Sequence, residues 1–429
     1  MCIRDRFNMN FEEAMIYINS FSQSGRKVTD LSRIKKLLNL IGNPQDNLKF
    51  VHIAGTNGKG SVLEFCSNAL INAGYKTGQF TSPYIKEYCD RIRINGQNIP
   101  KEKVAYYCMY VKKYADNLFF SQFEITFAIA LLYYKEEACD IVFLEAGIGG
   151  ELDATNIISS PLVSVITSVS LDHTQILGDT IEEIAVQKVG IIKENSYAVL
   201  SYDNEESVKK IALSKAFEKG STLIVPDSSQ IYIDKLNLKE TEFRYKNKSY
   251  KLKMCGKHQI VNAVTAIEIL SILNNIKFKI SYDHIYSALS SVSVELRTEI
   301  VRYDPLVIID GGHNIAGINS LCEILRNSGE ERFVGLIGMV KGKAYEYAAE
   351  KLSEIFEYVF CAEGFIENNI PAEKLCDLFK KNNCPAEYCE YREALKKACN
   401  YSVENSAALI VCGSLYFCSA VKSEFLINS

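Results

Sequence analysis

The sequence predicts an α/β fold of two domains, each built on a mostly parallel sheet. Length is the first reason, because 429 residues exceed what one hydrophobic core usually serves. Alternation is the second. Short apolar runs such as KFVHIA (49–54), DIVFLEAG (140–147) and LVSVITSV (162–169) are separated by stretches of helical periodicity. Strands that alternate with helices pair in parallel and are covered on both faces. The third reason is a reset of the pattern at residues 296–305, followed by the buried runs LVIIDGG, FVGLIGM, EYVFCAEG and AALIVCGS with helices between them. We therefore expect one domain over residues 9–295 and a smaller one over 296–429, meeting close to Arg297.

Each element has its own signal. The opening MCIRDRFN is basic, with no apolar stretch behind it, so it reads neither as a signal peptide nor as the start of a fold; Met9 is the expected first residue. Residues 11–41 form two helices broken at Ser24-Gly25-Arg26, with Ile34, Leu37, Leu38 and Ile41 at helical spacing. KFVHIA is a buried strand, and VLEFCSNALINAG (62–74) is a helix closed by Gly74. Helix 124–138 leads into the strand DIVFLEAG; LVSVITSV and YAVLS (197–201) are further strands, with a helix from Ile181 between them. Residues 221–255 alternate polar and apolar, as an antiparallel excursion does, and HQIVNAVTAIEILSIL (258–273) is a helix.

Composition narrows the function. Hydrophobic and charged residues make up 48% and 23%, the balance of a globular protein, and the net charge of −4 argues against a nucleic-acid holder. No apolar run reaches the length of a membrane span, so no membrane partner is expected. Fourteen cysteines include no CxxC, and the pairs Cys384/Cys389 and Cys412/Cys418 lack zinc spacing. Reduced thiols in the cytoplasm are the expectation.

The chemistry concentrates at strand ends. GTNGKGS (55–61) lies between a buried strand and a helix, where backbone N–H groups and a helix N-terminus cradle phosphate and Lys59 adds a point charge. Gly60 separates Lys59 from Ser61, so the loop departs from the common GxxxxGK[ST] pattern; a solvated lysine in a glycine-rich turn is the plain alternative. Glu145 ends a strand ahead of a glycine-rich turn and offers magnesium a hard oxygen. His173, one of five histidines, follows another strand and is as well suited to packing or capping as to ligation. Lys188 lies among apolar residues on the helix opened by Asp179-Thr180. A lysine neutralised by such a setting can react with carbon dioxide to form a carbamate.

VHIAGTNGKGS, TSPYI with DRIRING, QFEITFAIA, LEAGIGGELDATN, TSVSLDHTQILGDTIEEIAVQKVGIIK, GKHQIVNA, DGGHN and GSLY follow one another from Val51 to Tyr416. In this order they resemble the folylpolyglutamate synthase and dihydrofolate synthase family of the Mur ligase superfamily. The resemblance implies a P-loop-containing, Mur-ligase-type ATP domain followed by a smaller Rossmann-like domain. It places ATP phosphates on Asn57, Gly58, Lys59, Gly60 and Ser61, with Asn262, Arg297 and Asp310 also contacting ATP and His313 facing the phosphates. Magnesium, as two ions, would fall to Ser82, Glu145, His173 and a carbamylated Lys188, and a monovalent cation is a further candidate. The pterin side would be Ser121, Gln122, Phe123, Glu124, Leu152, Asp153 and Ala154.

The implied reaction passes the γ-phosphoryl group of ATP to a carboxylate of tetrahydrofolate or dihydropteroate. The amine of L-glutamate then attacks the acyl phosphate. No side-chain nucleophile is needed; Lys59, His173, Lys188 and His313 are the candidate catalytic residues. A monomer is implied. Rival readings are a Mur-type ligase acting on another carboxylate, a small-molecule kinase, and a nucleotide-binding module without catalysis. Three departures from the family pattern stand out: Glu295-Leu296-Arg297 where Pro-Gly-Arg is usual, Ile315 after Asn314 where proline is usual, and MVKGKAYEY (339–347) without an aspartate between its lysines.

Overall fold

The computed structural model describes residues 9–22, 30–116 and 119–427; the opening segment and the Ser24–Arg26 break lie outside the described residues. Packing divides the chain into two compact units. One comprises residues through 169, 173–226 and 262–288; the other comprises 170–172, 227–261 and 289–429. Residues 170–172, 227–261 and 289–295, expected with the first domain, group with the second unit.

The first unit is built on β1 (Phe50–Ala54), β2 (Thr77–Phe80), β3 (Ile92–Ile94), β4 (Gln97–Asn98), β5 (Ile141–Glu145), β6 (Val163–Ile166), β7 (Tyr197–Leu200) and β8 (Thr222–Ile224). They form one sheet in the order β4-β3-β2-β5-β1-β6-β7-β8. From β2 to β8 every pairing is parallel, and β3 and β4 add an antiparallel edge. Register sets the strand ends level. Ile53 pairs with Glu145 and Val165, and Ala54 with Ile166, so the loops leaving β1, β5 and β6 emerge side by side. That edge of a parallel sheet, where the connections part to either side of the central strand, is where ligands bind.

The sheet's two faces are covered by helices whose starts are written locally. Ser121 and Glu124 cap the helix Gln122–Glu136 reciprocally, and Thr180 and Glu183 do the same for Ile181–Val189. The helices Lys101–Ala115 and Gln122–Glu136 bury Val104, Val111, Phe127 and Leu131 with Phe50 and Phe80. On the helix Ile181–Val189, Ile184, Ala185 and Val189 pack with Ile166, Ala198 and Leu200.

β2 carries no sequence signal because half of it is polar. Thr77 and Gln79 are fully buried, and Gln79 is satisfied: its amide donates to Ser67 Oγ (2.8 Å) and Glu64 Oε2 (3.1 Å), and its Oε1 accepts from Gly96 N (2.9 Å). Partners supplied by distant residues let a polar strand sit in a core.

The second unit contains a three-stranded antiparallel sheet, β9 (Ile231–Leu236), β10 (Thr241–Tyr245) and β11 (Lys248–Leu252). The expected excursion over 221–255 is therefore real from residue 231, but its start, β8, belongs to the parallel sheet. The six strands β12 (Glu299–Tyr303), β13 (Leu306–Asp310), β14 (Phe333–Ile337), β15 (Tyr358–Glu363), β16 (Ala386–Glu390) and β17 (Ala408–Cys412) order as β12-β13-β17-β14-β15-β16. All pairings but β12 with β13 are parallel. Four of the six are the buried runs read from the sequence.

One correction concerns the helix Lys257–Ile276. By length and composition it could cross a membrane, which the sequence reading did not see, yet 78% of its most apolar window is buried inside the protein. It is placed as a core helix.

Candidate active site

Helix Lys59–Asn72 opens on Gly58, whose φ of 86° only glycine adopts easily, and no side chain caps its first turn. A Cβ on Gly58 would stand 2.3 Å from Asn262 Oδ1, and one on Gly55 1.8 Å from Thr167 Oγ1. These two glycines are required by the fold, and Asn262 is brought against the loop. Residues beyond β6 clamp the loop: Thr56 N donates to Ser168 O (2.6 Å) and Thr167 Oγ1 donates to Asn57 O (2.7 Å). Gly60 differs. A Cβ there would meet nothing within 4 Å.

Lys59 curls back over the loop, its Nζ 3.1 Å from Gly55 O and 3.2 Å from Thr56 O. The same ammonium lies 3.7 Å from Glu145 Oε1. Glu145 is nearly buried at the end of β5, and its Oε2 accepts from Ser82 N at 3.4 Å. Lysine, carboxylate and Ser82 are thus one cluster: the strand ends placed Glu145 beside the loop, and Ser82 joins it through its backbone N–H.

Past Glu145 the glycine turn is shaped by what it touches. A Cβ on Gly147 would stand 3.0 Å from Phe123 Cζ and 3.2 Å from Asp153 Oδ2, so two pterin-side candidates flank it. Gly150 lies against the backbone carbonyls of Gln187 and Lys188. Asp153 is buried and accepts Gly147 N (2.9 Å) and Ile148 N (3.0 Å) on Oδ2. Burial pushes its carboxyl up, opposed by these hydrogen bonds and those from Thr155. Of the other candidates, Ser121 and Glu124 form the helix cap, Gln122 bonds Asn19, and Leu152 and Ala154 flank Asp153.

Lys188 is 3% exposed on the helix Ile181–Val189. His173 stands seven residues beyond β6 at the N-cap of the short helix Thr174–Leu177, with φ 50° and no side-chain cap bond. Among the described residues no three His, Cys, Asp or Glu side chains gather as a metal cage. A single carboxylate with a neighbouring serine suits magnesium, which keeps much of its shell as water and phosphate oxygen.

In the second unit, Asp310 ends β13 and accepts Thr298 N and Oγ1 on Oδ2 (both 2.8 Å) and Gly312 N on Oδ1 (2.7 Å). It pins the segment containing Arg297, whose neighbours Leu296 (φ 59°) and Thr298 (φ 47°) are both left-handed. Leu296 thereby takes a conformation that suits the glycine usual in the resembled family. His313 Nδ1 donates to Gly311 O at 2.9 Å. Burial, with help from Lys343, brings its pKa down to about 4. Asn314 caps the helix Ile315–Arg326 through Gly317 N (2.9 Å), and Ile315 takes the first helical position, where proline is also at home. Lys343, from the departing MVKGKAYEY segment, pairs with Asp172 Oδ1 at 2.7 Å.

Sequence reasoning gave no role to His258 or His52. His258, within GKHQIVNA, feels the charges of Asp310 and Arg297. His52 sits fully buried in β1; the available signal was a titratable residue inside an apolar strand.

Residues 53–270 match the family model of the Mur ligase middle domain, and residues 296–415 that of the Mur ligase glutamate ligase domain. A dihydrofolate synthase/folylpolyglutamate synthase of Bacillus subtilis is 33% identical over 359 residues, covering 80% of this chain and 83% of its own. This chain belongs to that family of Mur ligases. Among solved structures, folylpolyglutamate synthase of Thermotoga maritima is 31% identical with a TM-score of 0.83, over 98% of this chain and 97% of that one. The Mycobacterium tuberculosis folylpolyglutamate synthase complexed with ADP is 25% identical with a TM-score of 0.86, over 97% and 98%. As a Mur ligase the protein is an ATP-dependent ligase, and the expected fold class is borne out.

Proposed function

We propose that this ligase joins L-glutamate to the carboxylate of tetrahydrofolate, and also of dihydropteroate, through an acyl phosphate. The observation that carries the reading is the convergence at one sheet edge of the phosphate loop, Glu145 with Ser82, and the Phe123–Gly147–Asp153 surface. Nucleotide phosphates and the acceptor substrate are thereby assigned to adjoining parts of one unit. The relatives' names supply the substrates.

The N–H groups of the first turn at Lys59–Ser61, together with Asn57 and Gly58, hold the β- and γ-phosphates, and Lys59 leaves its loop carbonyls to follow the charge on the transferring group. An acceptor carboxylate oxygen attacks the γ-phosphorus, and ADP departs. The free amine of glutamate adds to the acyl carbon and phosphate leaves with the carboxylate's oxygen, its charge offset by the amine's lost proton. Magnesium would be held by Ser82, Glu145 and His173, with carbamylated Lys188 near a second ion, and it would supply charge neutralisation at the phosphoryl oxygens. Asn262, Arg297, Asp310 and His313 are assigned to the nucleotide. A cytoplasmic monomer completes the reading.

The test is direct. The purified chain with ATP and glutamate is offered tetrahydrofolate or dihydropteroate separately, and products are weighed by mass spectrometry. A mass gain of one or more glutamyl residues, with one ADP each, is expected. No gain on either acceptor overturns the reading in favour of a ligase acting on a non-folate carboxylate.

A further inference from the structure

His52 is fully buried in β1, the central strand, three residues before the phosphate loop. Burial strips the ring of its proton, with Lys193 adding to the effect. Its Nε2 stands 2.8 Å from Thr155 Oγ1, while its buried Nδ1 has no hydrogen-bond partner among the described residues. Thr155 Oγ1 lies 2.5 Å from Asp153 Oδ1, which also accepts Thr155 N at 3.0 Å. With Gly147 N and Ile148 N on Oδ2, the Asp153 carboxylate receives four donors.

Proton counting gives the chain a direction. Three backbone N–H groups oppose the burial that raises Asp153; as the carboxylate it only accepts, so the Thr155 hydroxyl gives Asp153 its one proton. Its oxygen must then accept, and the donor is His52 Nε2–H. The imidazole is therefore the neutral Nε2–H tautomer. Asp153 in turn spans two segments, the glycine turn at Gly147–Ile148 and the Asp153–Thr155 turn, and with its lone pairs filled it serves as a strut between them.

We propose that His52 is a positioning residue for the pterin-bearing substrate, acting through Thr155 and Asp153 to set the spacing of the two turns that line the pterin side. This rests on the reading above, which assigns Phe123 and Leu152–Ala154 to that side. The geometry also separates positioning from mere support of the fold. β1 runs straight into Gly55, so general damage to the strand disturbs ATP binding, whereas loss of the donor alone disturbs the turns.

Steady-state kinetics on the full chain test it, with dihydropteroate and tetrahydrofolate as acceptors. His52→Leu and Thr155→Val should each raise the acceptor's KM about tenfold or more and leave that of ATP within about twofold. The double variant should be no worse than the worse single, because both break one chain. His52→Gln, which returns an N–H near the position of Nε2, should recover to within about threefold. Ring nitrogen NMR on the free enzyme should show His52 as Nε2–H. The inference is overturned if acceptor KM is unchanged in both single variants, if ATP and acceptor KM rise together, or if the ring is Nδ1–H. A wild type inactive on both acceptors overturns the functional reading and this inference with it; an active wild type beside unaffected variants overturns the inference alone.

Discussion

Single residues decide the phosphate chemistry. Gly55 and Gly58 are held by sterics of the protein itself, but neither the backbone nor the packing of Gly60 demands glycine. If close approach of a phosphate to the first turn is its purpose, Gly60→Ala keeps or raises the urea midpoint, as alanine does in a helix, and raises the KM for ATP by about tenfold or more. Gly58→Ala, facing Asn262, loses stability instead. Lys59→Ala removes the charge beside Glu145; amide formation should fall by ~100-fold or more with the circular dichroism of the fold retained. Turnover near that of the wild type would remove Lys59 from the mechanism. The residue scale is also where the sequence was most legible: Glu145 was placed beside the Lys59 loop from strand ends alone, while Ser82 came only with the family resemblance. His52 was not legible, because a buried ring next to a threonine 103 positions away leaves no local mark.

At the scale of elements, the helix Ile181–Val189 presents Lys188 almost wholly buried. Carbamylation, which the family resemblance implies, would turn the side chain into an oxygen ligand. Lys188→Ala should lose activity and regain part of it when short carboxylic acids are added; a variant indifferent to acetate or propionate speaks against the carbamate. Elements with one strong period were readable: β1, β5 and β6 as apolar runs, and the capped helices from Ser121 and Thr180. Those stabilised by distant partners were not. β2 depends on Ser67 and Glu64 for its glutamine, and β8 joins the parallel sheet although its neighbours in sequence continue into an antiparallel one.

The whole molecule carries a pH dependence set by buried imidazoles. Burial, aided by Lys193, pushes His52 down to about 3; burial, aided by Lys343 and Arg297 and opposed by Asp172, pushes His313 down to about 4. Both lie below the ordinary value near 6.5, so between those limits the unfolded chain binds more protons than the folded one. Stability therefore rises with pH across this window and is lost as pH falls, by about 1.4 kcal/mol per pH unit for each histidine. Urea unfolding at pH 7 and pH 5 should show the loss, and His52→Gln should show a shallower one. Equal slopes in the two proteins would mean that His52 keeps its proton in the fold.

By itself the sequence determined the class of fold, the phosphate loop and the family, because strand-helix alternation and glycine spacing are local properties that a linear pattern records. Tertiary structure alone decided which strands are neighbours, that β1, β5 and β6 end level, and that Phe123, Gly147 and Asp153 meet. It also decided that the longest apolar helix is a core element and that a histidine in β1 holds a turn a hundred residues on. Such facts depend on contacts between residues far apart in the chain, and pairing across that distance is fixed by burial and hydrogen-bond satisfaction in three dimensions.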